Sequence, residues 1–295
     1  MDIITLIGYN KLSEHEREEK FMQEEKFFNI NSMLKNIFQY LDQNCNAGRA
    51  NLIFVFSKTV PCQLKGNSST LYMVLVKIMR QVLEHHCSEE LVIEVDAPAD
   101  FLYKEPVVFK IENIPVKKDV IMPQLYSMLS EDLELLNASL EYTEDNGGSI
   151  EFTVPLTTAE LGCRRYYRLP SKTMLHKNIL LVVESNNLAL SLTKMFRYFP
   201  MNIDLCIKHF KSDKYDLSQY DMVLIEDKLF DFQLHALVKQ AKEKSDVDFI
   251  LLGNEDIYTE DDTSKLHTGF LAKPVTQESI YDLLVDQFDE LPIVA

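Results

Sequence analysis

Two hydrophobic periodicities divide this chain. From Phe28 onward the apolar positions Ile30, Met33, Leu34, Ile37, Phe38 and Leu41 recur at three- and four-residue steps. That spacing predicts an amphipathic helix, with Asn31 or Ser32 as its cap. An apolar strand follows at 52–56, then a turn region around Pro61 and Gly66, and then a second helix over 71–85 with Leu71, Val74, Leu75, Ile78, Met79 and Val82 on one face. Strand-like runs at 91–95 and 106–111, a helix at 122–136 and a hairpin over 140–155 turning at Asn146, Gly147 and Gly148 complete an α+β pattern. After Lys177 the rhythm changes. Short apolar strands at 179–183, 203–207, 222–225, 249–252 and 270–272 alternate with amphipathic helices at 188–199, 232–242 and 277–288. Buried strands separated by helices predict a parallel sheet covered on both faces.

Composition fits this two-part picture. The chain has 295 residues, 46% hydrophobic and 26% charged, enough for two compact domains. No apolar stretch approaches a membrane span, and the N-terminus lacks the basic flank and cleavage site of a secretory signal, so a cytoplasmic location is expected. The five cysteines, Cys45, Cys62, Cys87, Cys163 and Cys206, are far apart and read as reduced thiols. His85, His86 and Cys87 are adjacent, but neighbouring helical residues point to different sides, so no metal is expected there. A net charge of −16 argues against nucleic-acid binding, which relies on Lys and Arg. Residues 11–27 are rich in Glu and Lys and are expected to form a helical connector. Residues 157–177 hold Arg164, Arg165, Arg168, Lys172 and Lys177 beside Tyr166 and Tyr167, and read as an interdomain linker that docks on its own domains.

In a parallel sheet the chemistry lies just past the carboxyl ends of the strands. There the chain places Glu184 and Ser185, then Glu226 and Asp227, then Gly253, then Lys273 and Pro274. With ILLVVESN at 179–186, YDMVLIE at 220–226 and FLAKP at 270–274, this region resembles the response-regulator receiver family over 178–293. The resemblance implies a flavodoxin-like, doubly wound five-stranded domain in which two acids after the first strand and an acceptor Asp hold magnesium. It implies that a hydroxyl after the fourth strand and a Lys after the fifth meet the phosphoryl group. Here one acid is Ser185, the acceptor position is Glu226 and the hydroxyl position is Gly253, whereas Lys273 and the aromatic at the switch position, Phe270, are kept. Magnesium tolerates little distortion of its ligands, and the extra methylene of Glu226 spoils in-line attack. Two roles for Glu226 are open: pairing with Lys273 to hold one conformation, with a charge that partly imitates an aspartyl phosphate, or a plain acid left at a strand end. Asp227, one residue on, is expected to face the other way.

The first region, through FNINSML at 28–34, residues 66–85, LLNASL at 135–140 and GGSIEFTVPL at 147–156, resembles the ATP-binding domain of sensor histidine kinases. LIGYNKL at 6–12 looks like the tail of that family's dimerisation and phosphotransfer helix. The resemblance implies an Asn that orients magnesium and glycine-rich boxes around the nucleotide. The Asn position is Gln81, in the same helix as Lys77; the first box falls near Glu112 and Asn113, and the second at 127–131. No glycine occurs between Gly66 and Gly147. Glycine lets backbone approach phosphates because it has no Cβ.

The expected architecture is therefore an α/β chain of four segments: a helical connector at 1–27, a degenerate α+β sandwich of the histidine-kinase ATPase type at 28–156, a linker at 157–177 and a degenerate receiver-like domain at 178–293. The expected function is a non-catalytic regulator or scaffold of two-component phosphorelay signalling that docks a histidine kinase, a response regulator or a second copy of itself. No cofactor is expected; ATP and magnesium enter only under the alternative, a divergent but active hybrid histidine kinase or phosphotransferase.

Overall fold

A computed structural model describes residues 25–44, 51–57, 59–85, 90–99, 102–112, 114, 116–144, 147–158, 172–208, 215–229, 232–253 and 268–288. The chain forms two compact units.

The N-terminal unit contains β1 (Lys26–Asn29), α1 (Ile30–Asn44), β2 (Asn51–Phe56), β3 (Gln63–Gly66), α2 (Ser68–His85), β4 (Glu90–Asp96), β5 (Lys104–Glu112), α3 (Lys118–Leu136), β6 (Ser139–Thr143) and β7 (Ser149–Thr158). Its sheet runs β1-β3-β7-β5-β4-β2, and β6 joins the same edge of β7 as β3 does, further along the strand. The long strands alternate over 107–112 and 150–156. Val107, Phe109 and Ile111 of β5 and Ile150, Phe152, Val154 and Leu156 of β7 are buried. Phe109 lies opposite Phe152, with ring centroids 5.8 Å apart. The intervening residues form a charged outer face where Lys110 sits between Glu94 and Glu151 in register and pairs with Glu112 at 2.8 Å. The Glu112 hydrogen bond, with help from the neighbouring carboxylates, holds the Lys110 ammonium above its ordinary pKa against a smaller opposing effect of burial. On the apolar side α2 packs between α1 and α3.

Three local expectations change. β1 and β3 form an antiparallel pair where a connector and a turn were expected. The cap of α1 is Asn29, whose Oδ1 accepts from the Ser32 amide at 3.0 Å, whereas Asn31 is buried. Helix α3 begins at Lys118, not at 122, and carries Pro123 inside it. The connector at 1–24, the histidine and cysteine at 86 and 87, and the basic residues at 164–168 lie outside the described residues.

The C-terminal unit contains β8 (Asn178–Val183), α4 (Asn186–Phe196), β9 (Asn202–Ile207), β10 (Met222–Glu226), α5 (Phe232–Lys244), β11 (Asp248–Gly253), β12 (Gly269–Ala272) and α6 (Gln277–Phe288). All of its strand pairs are parallel, in the order β12-β11-β10-β8-β9. This is the doubly wound order whose switch point lies between the first and third strands. At the amino ends of the strands Lys177 pairs with Asp221 at 2.9 Å and lies 5.1 Å from the Phe288 ring, while the second Asp221 oxygen accepts from the Asn178 amide. No helix among the described residues is long and apolar enough to cross a membrane.

Candidate functional site

The carboxyl ends of β8, β10, β11 and β12 bring together Glu184, Ser185, Glu226, Gly253 and Lys273. Glu226 ends β10 with 1% of its surface exposed. Its Oε1 accepts from the Lys273 ammonium at 2.6 Å, and its Oε2 accepts from the Glu184 backbone amide at 2.7 Å. Lys273 is itself 7% exposed at the side chain. The methylene that distinguishes Glu from Asp carries this carboxylate across the pocket, so both oxygens end on fixed donors. A buried charge is tolerable when paired and hydrogen-bonded in this way.

The other positions are also committed. Ser185 caps α4, its Oγ accepting from the Leu188 amide at 3.0 Å, which ties up the hydroxyl as a helix cap. Glu184 is half exposed and stands 3.9 Å from the Lys228 ammonium. Gly253 ends β11 where a Cβ would come within 2.6 Å of Asp227 Oδ2 and 2.9 Å of its Cγ. The space that a Ser or Thr side chain would need is filled by the Asp227 carboxylate. Strand alternation placed Asp227 on the other face, but β10 ends at Glu226 and Asp227 opens a short 3₁₀ turn, so the alternation stops one residue earlier. Phe270 packs inward against the cluster that includes Val182, Ile225, Phe249 and Leu251.

Magnesium asks for about six well-placed oxygens. Here the Glu226 carboxylate is neutralised by an ammonium, and Ser185, standing where a second acid is expected, spends its hydroxyl as a helix cap. Among the described residues no group of three or more His, Cys, Asp or Glu converges on a point that could hold a metal ion. The donor set does not fit the ion.

In the N-terminal unit Lys77 and Gln81 lie one turn apart on α2. Lys77 Nζ reaches Asp132 Oδ2 of α3 at 2.7 Å and the Met128 carbonyl at 3.4 Å. Gln81 Nε2 donates to Gln124 Oε1 of α3 at 2.7 Å and lies 3.1 Å from His85 Nε2. These contacts close the seam between the two helices. Glu112 ends β5 and pairs with Lys110, and α3 starts at Lys118, so residues 113–117 span the whole connection. Asn113 lies outside the described residues. Ile114 is buried and its amide donates to the Gly148 carbonyl at 3.1 Å, while the Tyr142 hydroxyl donates to the Val116 carbonyl at 2.6 Å. Gly148, at φ +85°, admits this approach: a Cβ would stand 2.5 Å from the Ile114 carbonyl oxygen and collide with the Tyr142 hydroxyl.

The second expected glycine box, residues 127–131, lies in the interior of α3. Its amides are spent on carbonyls four residues back and cannot cradle a phosphate, which takes free amides at a loop or helix start. The described residues of this region do not fit a nucleotide. Sequence reasoning named Asp227 but turned it to the other face, and it did not single out Asp132, Gln124 or Tyr142, which make the contacts described above.

No protein-family model matches the chain, and no curated protein matches it. Solved structures do. Full-length ShkA in complex with AMPPNP superposes with a TM-score of 0.67 at 11% identity, covering 90% of this chain and 57% of ShkA. This chain thus spans little more than half of the ShkA chain. The catalytic domain of histidine kinase ThkA matches at 13% identity and a TM-score of 0.35, covering 45% of this chain and 96% of that one. A CheY-like receiver domain from Methylobacillus flagellatus matches at 19% identity and a TM-score of 0.33, covering 38% of this chain and 98% of that one. At these identities the likeness establishes fold. By fold the chain is a histidine-kinase ATPase-like unit followed by a receiver-like unit.

Proposed function

We propose that this chain is a non-catalytic regulator or scaffold in two-component signalling, acting by docking a histidine kinase or a response regulator through surfaces of its kinase-like and receiver-like units. The observation that carries this reading is the state of Glu226. Both of its oxygens are engaged, at 2.6 Å by Lys273 and at 2.7 Å by the Glu184 amide, at the position where an acceptor carboxylate would attack a phosphoryl donor. A nucleophile must present a lone pair to the incoming group at near-attack distance. This one would first have to leave a buried ion pair. The closed seam between α2 and α3 supports the same reading for the other unit, because a nucleotide would have to separate Lys77 from Asp132 and Gln81 from Gln124. A cytoplasmic location fits a partner drawn from phosphorelay proteins.

Two measurements test the reading. Calorimetric titration with ATP and magnesium chloride is expected to show no saturable binding up to about 1 mM ligand, which corresponds to about −4 kcal/mol. Incubation with acetyl phosphate and magnesium, followed by intact-mass spectrometry, is expected to show no gain of a phosphoryl group. Micromolar, magnesium-dependent ATP binding or an acyl phosphate on Glu226 or Asp227 would refute the reading. Direct binding to individual kinases and receivers of the host is then the positive assay.

A further inference from the structure

The N-terminal unit has an open groove between α1 and α2, of about 460 Å³, whose walls include Phe28, Met33, Tyr72 and Met73. Asn29, Ser32, Asn36, Ser68 and Ser69 line it as well, and no charged residue does, in a chain that is 26% charged. Met73 is 44% exposed, and Tyr40 beyond it on α1 is 40% exposed. Burial, together with the nearby Tyr40 phenol, holds the Tyr72 hydroxyl above its ordinary pKa. The Tyr, Met and Phe side chains of this uncharged concavity are residue types enriched in interface cores.

The chain itself supplies an occupant at short range. It enters the described structure at Glu25, which stands 3.7 Å from Lys65, and three residues later Phe28 is already part of the groove wall. Upstream, residues 3–10 read IITLIGYN, with Ile3, Ile4, Leu6 and Ile7 and no charge, a match for the uncharged groove. Residues 11–24 between them are largely charged or polar and make a tether. Even at the helical rise this tether spans about 20 Å, and extended it spans about 45 Å, against about 17 Å for the α1 wall between Asn29 and Tyr40. Tethering at such lengths gives millimolar effective concentrations, which favours a segment of the same chain over a separate partner.

We propose that residues 3–10 dock in the α1–α2 groove of their own chain, setting Leu6 and Ile7 against Met33, Tyr72 and Met73. The inference rests on the groove and the tether and stands apart from the functional reading above.

Hydrogen exchange read by mass spectrometry on the full chain tests it. Amides of residues 3–10 are expected to exchange at least about tenfold more slowly in the parent than in Met73→Glu, a change on an exposed position that leaves the fold intact by circular dichroism. The reciprocal variant Leu6→Glu is expected to speed exchange in the first turns of α1 and α2. Val120→Glu, on the 47% exposed position of α3, is expected to change neither. Free exchange of residues 3–10 in the parent, or protection that survives Met73→Glu, overturns the proposal. Protection lost on tenfold dilution also overturns it and assigns the groove to a second copy of the chain.

Discussion

Breaking the Glu226–Lys273 pair from either side is expected to destabilise the C-terminal unit with opposite pH dependences. In Lys273→Met the carboxylate stays buried with the Glu184 amide as its remaining donor, and it is cheaper to protonate it than to keep it charged. Protonating a carboxyl of ordinary pKa 4.3 at pH 7 costs about 3.7 kcal/mol, which caps the loss. In Glu226→Gln the ammonium is stranded instead, and deprotonating a Lys of ordinary pKa 10.4 caps the loss at about 4.6 kcal/mol. Both ceilings lie in the range of about 3–5 kcal/mol found when one partner of a buried pair is removed. The signs then diverge. In Lys273→Met the native state binds the extra proton, so stability recovers as pH falls, by up to about 1.4 kcal/mol per pH unit. In Glu226→Gln the unfolded state binds the extra proton, so stability recovers as pH rises. The double variant Glu226→Gln/Lys273→Met buries no charge and is expected to return to within about 2 kcal/mol of the parent. The assay is urea unfolding between about pH 5 and pH 9, followed by backbone resonances of β10 and β12 so that the C-terminal unit is read by itself. Losses below about 1 kcal/mol in both single variants, or slopes of the same sign, would show that the pair is solvated and would refute the reasoning.

Other expectations follow from individual contacts. Gly253→Ala drives a methyl into Asp227 and should cost about 1–3 kcal/mol, with part of the loss recovered in Gly253→Ala/Asp227→Ala; no recovery would mean that Asp227 does not fill the space. Tyr142→Phe removes the bond to the Val116 carbonyl and should cost about 1 kcal/mol in the N-terminal unit, measured by urea unfolding. Burial raises the Asp248 carboxyl above its ordinary value of 3.8, opposed in part by a hydrogen bond from Thr268. The native state therefore holds that proton more tightly, and stability falls as pH rises from the ordinary value through the raised one. Asp248→Asn should be more stable than the parent at pH 7 and lose that advantage below about pH 4, checked by thermal unfolding at both pH values.

The parallel unit was readable in the sequence because short, largely apolar runs of three to five residues recur with amphipathic helices among them. Their ends then index the pocket residue by residue, from Glu184 to Lys273. What occupies the pocket was less readable. The direction of Asp227 depends on β10 stopping at Glu226, and strand periodicity says nothing about where a strand stops. In the N-terminal unit β1 and β3 are four residues each, too short for alternation to register, and their pairing joins segments nearly forty positions apart. The start of α3 was obscured by Pro123, the sixth residue of the helix, which has no N–H to bond the carbonyl four residues back and so argues against a helix through it. The missing glycines raised the expectation of altered nucleotide boxes, but that Asp132 and Gln124 bridge α2 and α3 is a tertiary fact.

The neutral, enclosed couple at the end of β10 also bears on what the C-terminal unit responds to. Ions in solution screen exposed charges over about 8 Å at physiological ionic strength and reach buried pairs much less. A pocket whose acid is already balanced from within offers divalent cations and salt little to act on. The enclosed couple itself is thereby little affected by the ionic composition of the surroundings.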